Sequence, residues 1–295
     1  MQKIISTLCL IALIAIQVSA QVNKPTDWEN YELKGKVKSI VEKNWDIEEE
    51  KGVDTTVIEM KFNAAGFFTA KTIAFADGRK KIHTYGNNGN EIEYINDEGF
   101  KSTYTYDENG NMIGADDSDP KYGGKSVYKF NIDNHLIETI NYEPDSTIYS
   151  HYIYQYDAKG NQIEFDDYKG KEIVGKTTFA YNDAGKKTET AFYLRGNLNE
   201  ITHYSYNEKG EESSHKIFDP EGKLKSTYAF LYDEKGNLIS MTVTDIEQEK
   251  TTERIYSYSY EYDAQGNWIT HTSYSNKDGF KKKATENSVR EIVYY

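Results

Sequence analysis

The chain has 295 residues, with 48 acidic against 35 basic side chains for a formal net charge of −13, and one cysteine. A surface that acidic repels nucleic acid and anionic lipid, so neither is an expected partner. Charged residues reach 28%, as in disordered chains, but 26 tyrosines and 12 phenylalanines supply apolar area that such chains lack, so the chain is read as folded.

Met1 to Ala20 carries Lys3, an apolar run from Leu8 to Ile16, then Val18-Ser19-Ala20, the pattern of a secretory signal cut before Gln21. The run is shorter than the roughly 20 apolar residues of a membrane helix, and no later stretch approaches that length. No helical membrane span is expected, and the protein is expected to be periplasmic, cell-surface or secreted. Cys9 lies inside the apolar run and leaves with it, so the exported chain has no thiol, disulfide or thiolate metal site. Residues 21–61 hold Trp28 to Tyr31, a strand-like Val37 to Trp45 and the acidic loop Asp46 to Asp54, read as an N-terminal capping hairpin region because repeat stacks need atypical ends.

Residues 62–295 are organised by one template: an aromatic, Asp or Asn, two variable residues, then Gly and often Asn. Clear copies are Tyr106-Asp107 with Gly110-Asn111, Tyr156-Asp157 with Gly160-Asn161, Tyr232-Asp233 with Gly236-Asn237, and Tyr262-Asp263 with Gly266-Asn267. Looser copies start at Phe62, Tyr85, Tyr181 and Tyr206, and one at Phe130 has Asn134 in place of the glycine. The nine starts are 21 to 30 residues apart. A second, weaker set at Gly78, Gly99, Gly124, Gly170, Gly196, Gly222 and Gly279 divides each unit into two short strands.

The turn template has a physical reason. Asp accepts a hydrogen bond from the N–H two residues on, and Gly at the fourth position takes the left-handed conformation that closes a four-residue loop. Asp107, Gly110, Asp157, Gly160, Asp233, Gly236, Asp263 and Gly266 are therefore assigned as structural turn residues. Before the turns, Tyr256, Tyr258, Tyr260 and Tyr262 alternate with Ser257, Ser259 and Glu261, and Tyr152, Tyr154 and Tyr156 alternate with Ile153 and Gln155. That period of two means strands with an aromatic face. Ile92, Ile113, Ile163, Ile239 and Ile269 fall seven residues after the opening tyrosine. A four-residue loop puts them on the tyrosine face; a three-residue loop with a bulge sends them to the other.

The expected architecture is all-β: tandem antiparallel β-hairpin repeats in one domain of about nine units, forming a twisted, curled sheet, superhelix or partial shell, with Val289 to Tyr295 as a closing strand. The repeated Tyr-Asp, two residues, Gly-Asn signature with its second glycine turn resembles the Rhs or YD-repeat superfamily of bacterial exported proteins over roughly residues 55–285. The resemblance implies a shell, an adhesin or a glycan-binding region. It departs from Rhs toxins in lacking a conserved cap and toxin tip. Asp219-Pro220-Glu221-Gly222 resembles the aspartate-proline motif of self-cleaving Rhs cores but falls at a half-repeat turn, so self-cleavage is not expected.

No convergent chemistry emerges. His83, His135, His151, His203, His215 and His271 show no metal-ligand spacing on one element, and no phosphate loop or nucleophile elbow is present. Asp116, Asp117 and Asp119, the pair Asp166 and Asp167, and Glu48 to Glu50 read as charged loop residues, without the ligand spacing of an EF-hand. No catalytic, cofactor-binding or metal residue is assigned, and no cofactor is expected. Most tyrosines are expected to pack; Tyr152, Tyr154, Tyr256, Tyr258 and Tyr260 are the candidate ligand-binding aromatics, because a tyrosine ring packs while its hydroxyl stays wet. The leading expectation is an exported, non-catalytic binding or scaffold module at the cell envelope or outside the cell, with a glycan or an envelope or surface protein as partner. Its competitors are a carbohydrate-processing enzyme using paired loop carboxylates and a toxin-associated shell or immunity partner. An outer-membrane barrel ranks last, because continuous apolar outward bands are missing.

Overall fold

Period-two patterning broken by glycine turns produces, among the described residues, twenty antiparallel strands, running from Val37–Asp46 to Lys283–Tyr294. The computed structural model describes residues 25–47, 55–121, 123–247, 250–277 and 283–295; the signal-like segment with Cys9, Glu48 to Glu50 and Gly279 lie outside them. The one helical element described is a single turn, Asp27–Asn30, started by a capping box in which Thr26 and Glu29 exchange hydrogen bonds.

Each strand pairs with its neighbours in sequence, and Val37–Asp46 also pairs with Lys283–Tyr294, from Val37 opposite Tyr294 to Asp46 opposite Glu286. The first and last strands thus close the sheet into a barrel, and no strand among the described residues is left with an unpaired edge. This corrects the expected open sheet, superhelix or partial shell. Local patterning is the same in a ribbon and in a ring; closure is decided by pairing between the two ends of the chain, which also removes the unpaired edges an open sheet would present.

The Asp-x-x-Gly-Asn turns all sit at one rim. In the turn at Asp157, Gly160 N–H donates to the Asp157 carbonyl and Asp157 N–H to the Asn161 carbonyl, enclosing a three-residue loop with Gly160 at φ +82°. Beyond it Tyr156 opposes Gln162 but Gln155 opposes Glu164, so Ile163 is an extra, bulged residue. The same shift recurs at Tyr85, Tyr106, Tyr232 and Tyr262. The isoleucines therefore fall on the face opposite the tyrosines, correcting the four-residue-loop register. Ile92, Ile113, Ile163 and Ile239 are 37–46% exposed.

The opening tyrosines act at this rim. Between hairpins the backbone ladder stops short, at Ile153 opposite Glu138, Glu164 opposite Thr178 and Glu189 opposite His203. The carbonyls left over accept from tyrosine hydroxyls: Tyr156 to Leu136 at 2.8 Å, Tyr181 to Gln162 at 2.8 Å and Tyr206 to Lys187 at 2.8 Å. Each turn is thereby tied to the preceding hairpin.

The N-terminal segment docks on the same rim. Trp28 donates its indole N–H to the Val37 carbonyl at 2.8 Å, Asp27 accepts from Phe68 N–H at 2.6 Å, and Lys34 exchanges two hydrogen bonds with Asn267. Below it lies the main apolar cluster, Val37, Ile40, Met60, Phe62 and Phe68, with Trp28 and Leu33 against it. Elsewhere Ala191 and Val243 are the only buried hydrophobics among the described residues. So few buried side chains mean that the ring is not filled by a core of its own.

Candidate ligand-binding face

Cross-strand partners share a face, so the pairing register sorts the side chains into two faces. Tyr154 opposes Phe165, Phe165 opposes Thr177, and Thr177 opposes Phe192. Tyr204 opposes His215, which opposes Tyr228, which opposes Val243. Tyr260 opposes His271, which opposes Ser288. This aromatic face also carries the core cluster and the docked Trp28, and its seam ion pair Glu42–Arg290 leaves only 13% and 9% of the two side chains exposed. It is the inner face of the barrel. On the other face, Lys101, Lys129 and His203 pair with Glu93, Glu138 and Glu189 and are 53–55% exposed, as befits an outer surface.

The turn residues assigned from sequence make the turns. Each Asp Oδ1 accepts two backbone N–H groups: Asn109 and Asn111 at Asp107, Lys159 and Asn161 at Asp157, Lys235 and Asn237 at Asp233, Gln265 and Asn267 at Asp263. Gly110, Gly236 and Gly266 share the left-handed conformation of Gly160. Asp219 and Gly222 close an ordinary half-repeat turn of the same hydrogen-bond pattern.

The five candidate tyrosines all lie half-buried on the inner face but in two separate groups. Tyr152 and Tyr154 flank Phe165, each with ring centroids 5.3 Å from it. Tyr258 and Tyr260 flank His271 at 5.7 and 4.9 Å, with Tyr256 one step further along the strand and opposite Met241. Burial raises the hydroxyl pKa of Tyr154, Tyr258 and Tyr260, so these groups stay neutral donors and acceptors at ordinary pH. Tyr104, which the sequence did not single out, joins this face and is pushed up to about 12 by burial and then by the charge of Glu91.

Three histidines also face inward: His83 meets Glu91 at 2.7 Å and Tyr94, His215 meets Glu212 at 2.6 Å and stacks on Tyr228, and burial holds His271 below the usual imidazole range. Strand alternation separates the carboxylates that are adjacent in sequence. Asp166 points outward to Lys176 while Asp167 points inward, and Asp117, bonded to Ser102 at 2.7 Å, faces away from Asp116. Among the described residues no group of three or more His, Cys, Asp or Glu is placed to hold a metal ion.

No family model matches the chain, and no curated protein matches it. Among solved structures it is similar to a porin-like protein from Bacteroides uniformis, with a TM-score of 0.42, 12% identity, and coverage of 91% of this chain and 98% of that one. It is also similar to a porin-like protein from Bacteroides vulgatus, at a TM-score of 0.22 and 9% identity over 86% and 97% of the two chains. A Tc holotoxin pore of Photorhabdus luminescens matches at a TM-score of 0.27 and 12% identity over 83% of this chain, which spans 18% of that chain.

Proposed function

We propose that the protein is an exported, non-catalytic binding module of the cell envelope or exterior that holds a glycan or a protein segment on the aromatic inner face of its barrel. The observation that carries this reading is the pair of inward tyrosine groups, Tyr152/Tyr154 around Phe165 and Tyr256/Tyr258/Tyr260 beside His271, in a ring that its own side chains do not fill. Flat, rigid aromatic rings bind ligands at low entropic cost. The division of Asp166 from Asp167 and of Asp116 from Asp117 between the two faces weighs against paired carboxylates acting across one sugar.

A membrane-spanning role is disfavoured by the outer face. A barrel in a bilayer turns an apolar band about 25 Å tall towards lipid. Here Lys101–Glu93, Lys129–Glu138 and Lys176–Glu164 occupy that surface. No helix among the described residues is long and apolar enough to cross a membrane.

The test is a screen of the purified protein against glycans, cell-wall polysaccharides and envelope proteins. Saturable binding that is lost in Tyr258→Ala with Tyr260→Ala and kept in the outer-face variant Lys129→Ala supports the reading. Turnover of a bound glycan abolished by a single Asp or Glu substitution overturns it in favour of an enzyme.

A further inference from the structure

A concavity opens on the inner face at the rim opposite the Asp-x-x-Gly-Asn turns. About 320 Å³ of space lies between the strands Gln162–Lys169, Glu172–Tyr181 and Lys187–Leu194, walled by Phe165, Phe192 and Asp167, with Arg195 and Lys169 at its mouth. Its floor is Gly175, which opposes Asp167 on one side and Leu194 on the other. A Cβ at Gly175 would stand 3.7 Å from the Phe192 ring and 3.8 Å from Asp167 Oδ2, so any larger side chain would occupy the space. The missing side chain is what opens the site.

Asp167 has no hydrogen-bond or ion-pair partner among the described residues, although it is half-buried and burial raises its pKa. An unpaired, partly desolvated carboxylate beside aromatic rings is unfavourable in the empty protein and is relieved by a ligand that donates to it. Phe165 continues the aromatic platform towards Tyr152, stacked at 5.3 Å and 24°.

The groups present select the ligand. A cation suits Asp167 but meets Arg195 and Lys169 at the mouth; an anion suits the mouth but meets Asp167. A neutral saccharide ring satisfies all of them, because its faces are apolar and each rim hydroxyl both donates and accepts. The volume lies at the small end of ligand pockets and fits one sugar unit rather than a large ligand.

We propose that this concavity is a saccharide subsite, taking one neutral sugar ring of a longer glycan against Phe192 and Phe165, with hydroxyls donating to Asp167 and accepting from Arg195. The proposal rests on the reading of the inner face as the binding surface and names its ligand class and a set of residues that sequence did not single out, apart from the carboxylate of Asp167.

The test is isothermal titration of the purified protein with cellohexaose, maltohexaose and mannohexaose, beside an oligogalacturonate and a chitosan oligomer as charged counterparts. The expected result is saturable binding of at least one neutral hexamer in preference to both charged ones. That affinity falls tenfold or more in Asp167→Asn and Phe192→Leu, and binding is lost in Gly175→Leu. Far-UV circular dichroism checks folding, and the near-isosteric Asp167→Asn carries the test if Gly175→Leu fails to fold. Neutral hexamers that bind with Asp167→Asn and Phe192→Leu unchanged, but are lost in Tyr258→Ala with Tyr260→Ala, overturn this subsite and leave the inner-face reading standing. Preference for a charged oligomer overturns the ligand class. No binding of any hexamer, with a protein ligand retained on the inner tyrosines, overturns the saccharide assignment alone, and silence in both assays overturns both readings.

Discussion

Replacing Arg290 with methionine tests whether the ring is closed. Arg290 Nε lies 2.7 Å from Glu42 Oε2, across the seam between the last and first strands, and its guanidinium lies 3.3 Å over the Trp268 ring. With 9% and 13% of the two side chains exposed, this is a shielded pair. Arg290→Met keeps much of the stem but leaves the Glu42 carboxylate buried without a cation, which costs about 3 to 5 kcal/mol. For a domain near this size that is a fall in Tm of about 6 to 20 °C, read by circular dichroism or differential scanning fluorimetry. Adding Glu42→Gln should restore part of the loss, because it removes the charge left without a partner. In an open array both side chains would sit at free edges, where exposed pairs contribute about 0 to 1 kcal/mol. A fall of less than about 2 °C would therefore refute the closed barrel.

Gly66→Ala and Gly222→Ala separate backbone strain from docking of the N-terminal segment. Both glycines have left-handed φ, but a Cβ at Gly66 would stand 2.7 Å from the Trp28 ring while nothing lies within 4 Å at Gly222. Gly222→Ala should cost about 1 kcal/mol, and Gly66→Ala about 1 to 3 kcal/mol more, with a red shift of tryptophan emission as Trp28 undocks; equal losses of Tm would remove the docking argument. The turn aspartates set a limit in acid. The Asn161 side-chain amide and backbone N–H hold the Asp157 carboxyl below its usual range, so its contribution is present above pH about 4 and disappears as pH falls through the lowered value. The Tm difference between wild type and Asp157→Asn should narrow below pH 4 in scanning fluorimetry, and a constant difference down to pH 2 would contradict the assignment.

Strands, turns and the two-faced pattern were legible because they are local. Tyr256 to Tyr262 alternate on their own strand whatever the strand meets, and Asp157 and Gly160 bond within five residues of each other. The isoleucine register was not legible, because a three-residue loop followed by a bulge differs from a four-residue loop by one residue of pairing, and sequence alone left both loop lengths open. The concavity at Asp167 was read as a charged loop cluster, since nothing in Asp166-Asp167 says which carboxylate turns inward or that Gly175 leaves space beside it. A glycine in mid-strand, away from either turn set, was the available signal.

The sequence by itself determined an all-β chain of short antiparallel hairpins with tyrosines on one face, since alternation and turn chemistry act over a few residues. Only the tertiary structure decided that the face turns inward, because that depends on Val37–Asp46 meeting Lys283–Tyr294. Pairing over that separation depends on the twist and coiling summed over all twenty strands, a quantity no single hairpin carries.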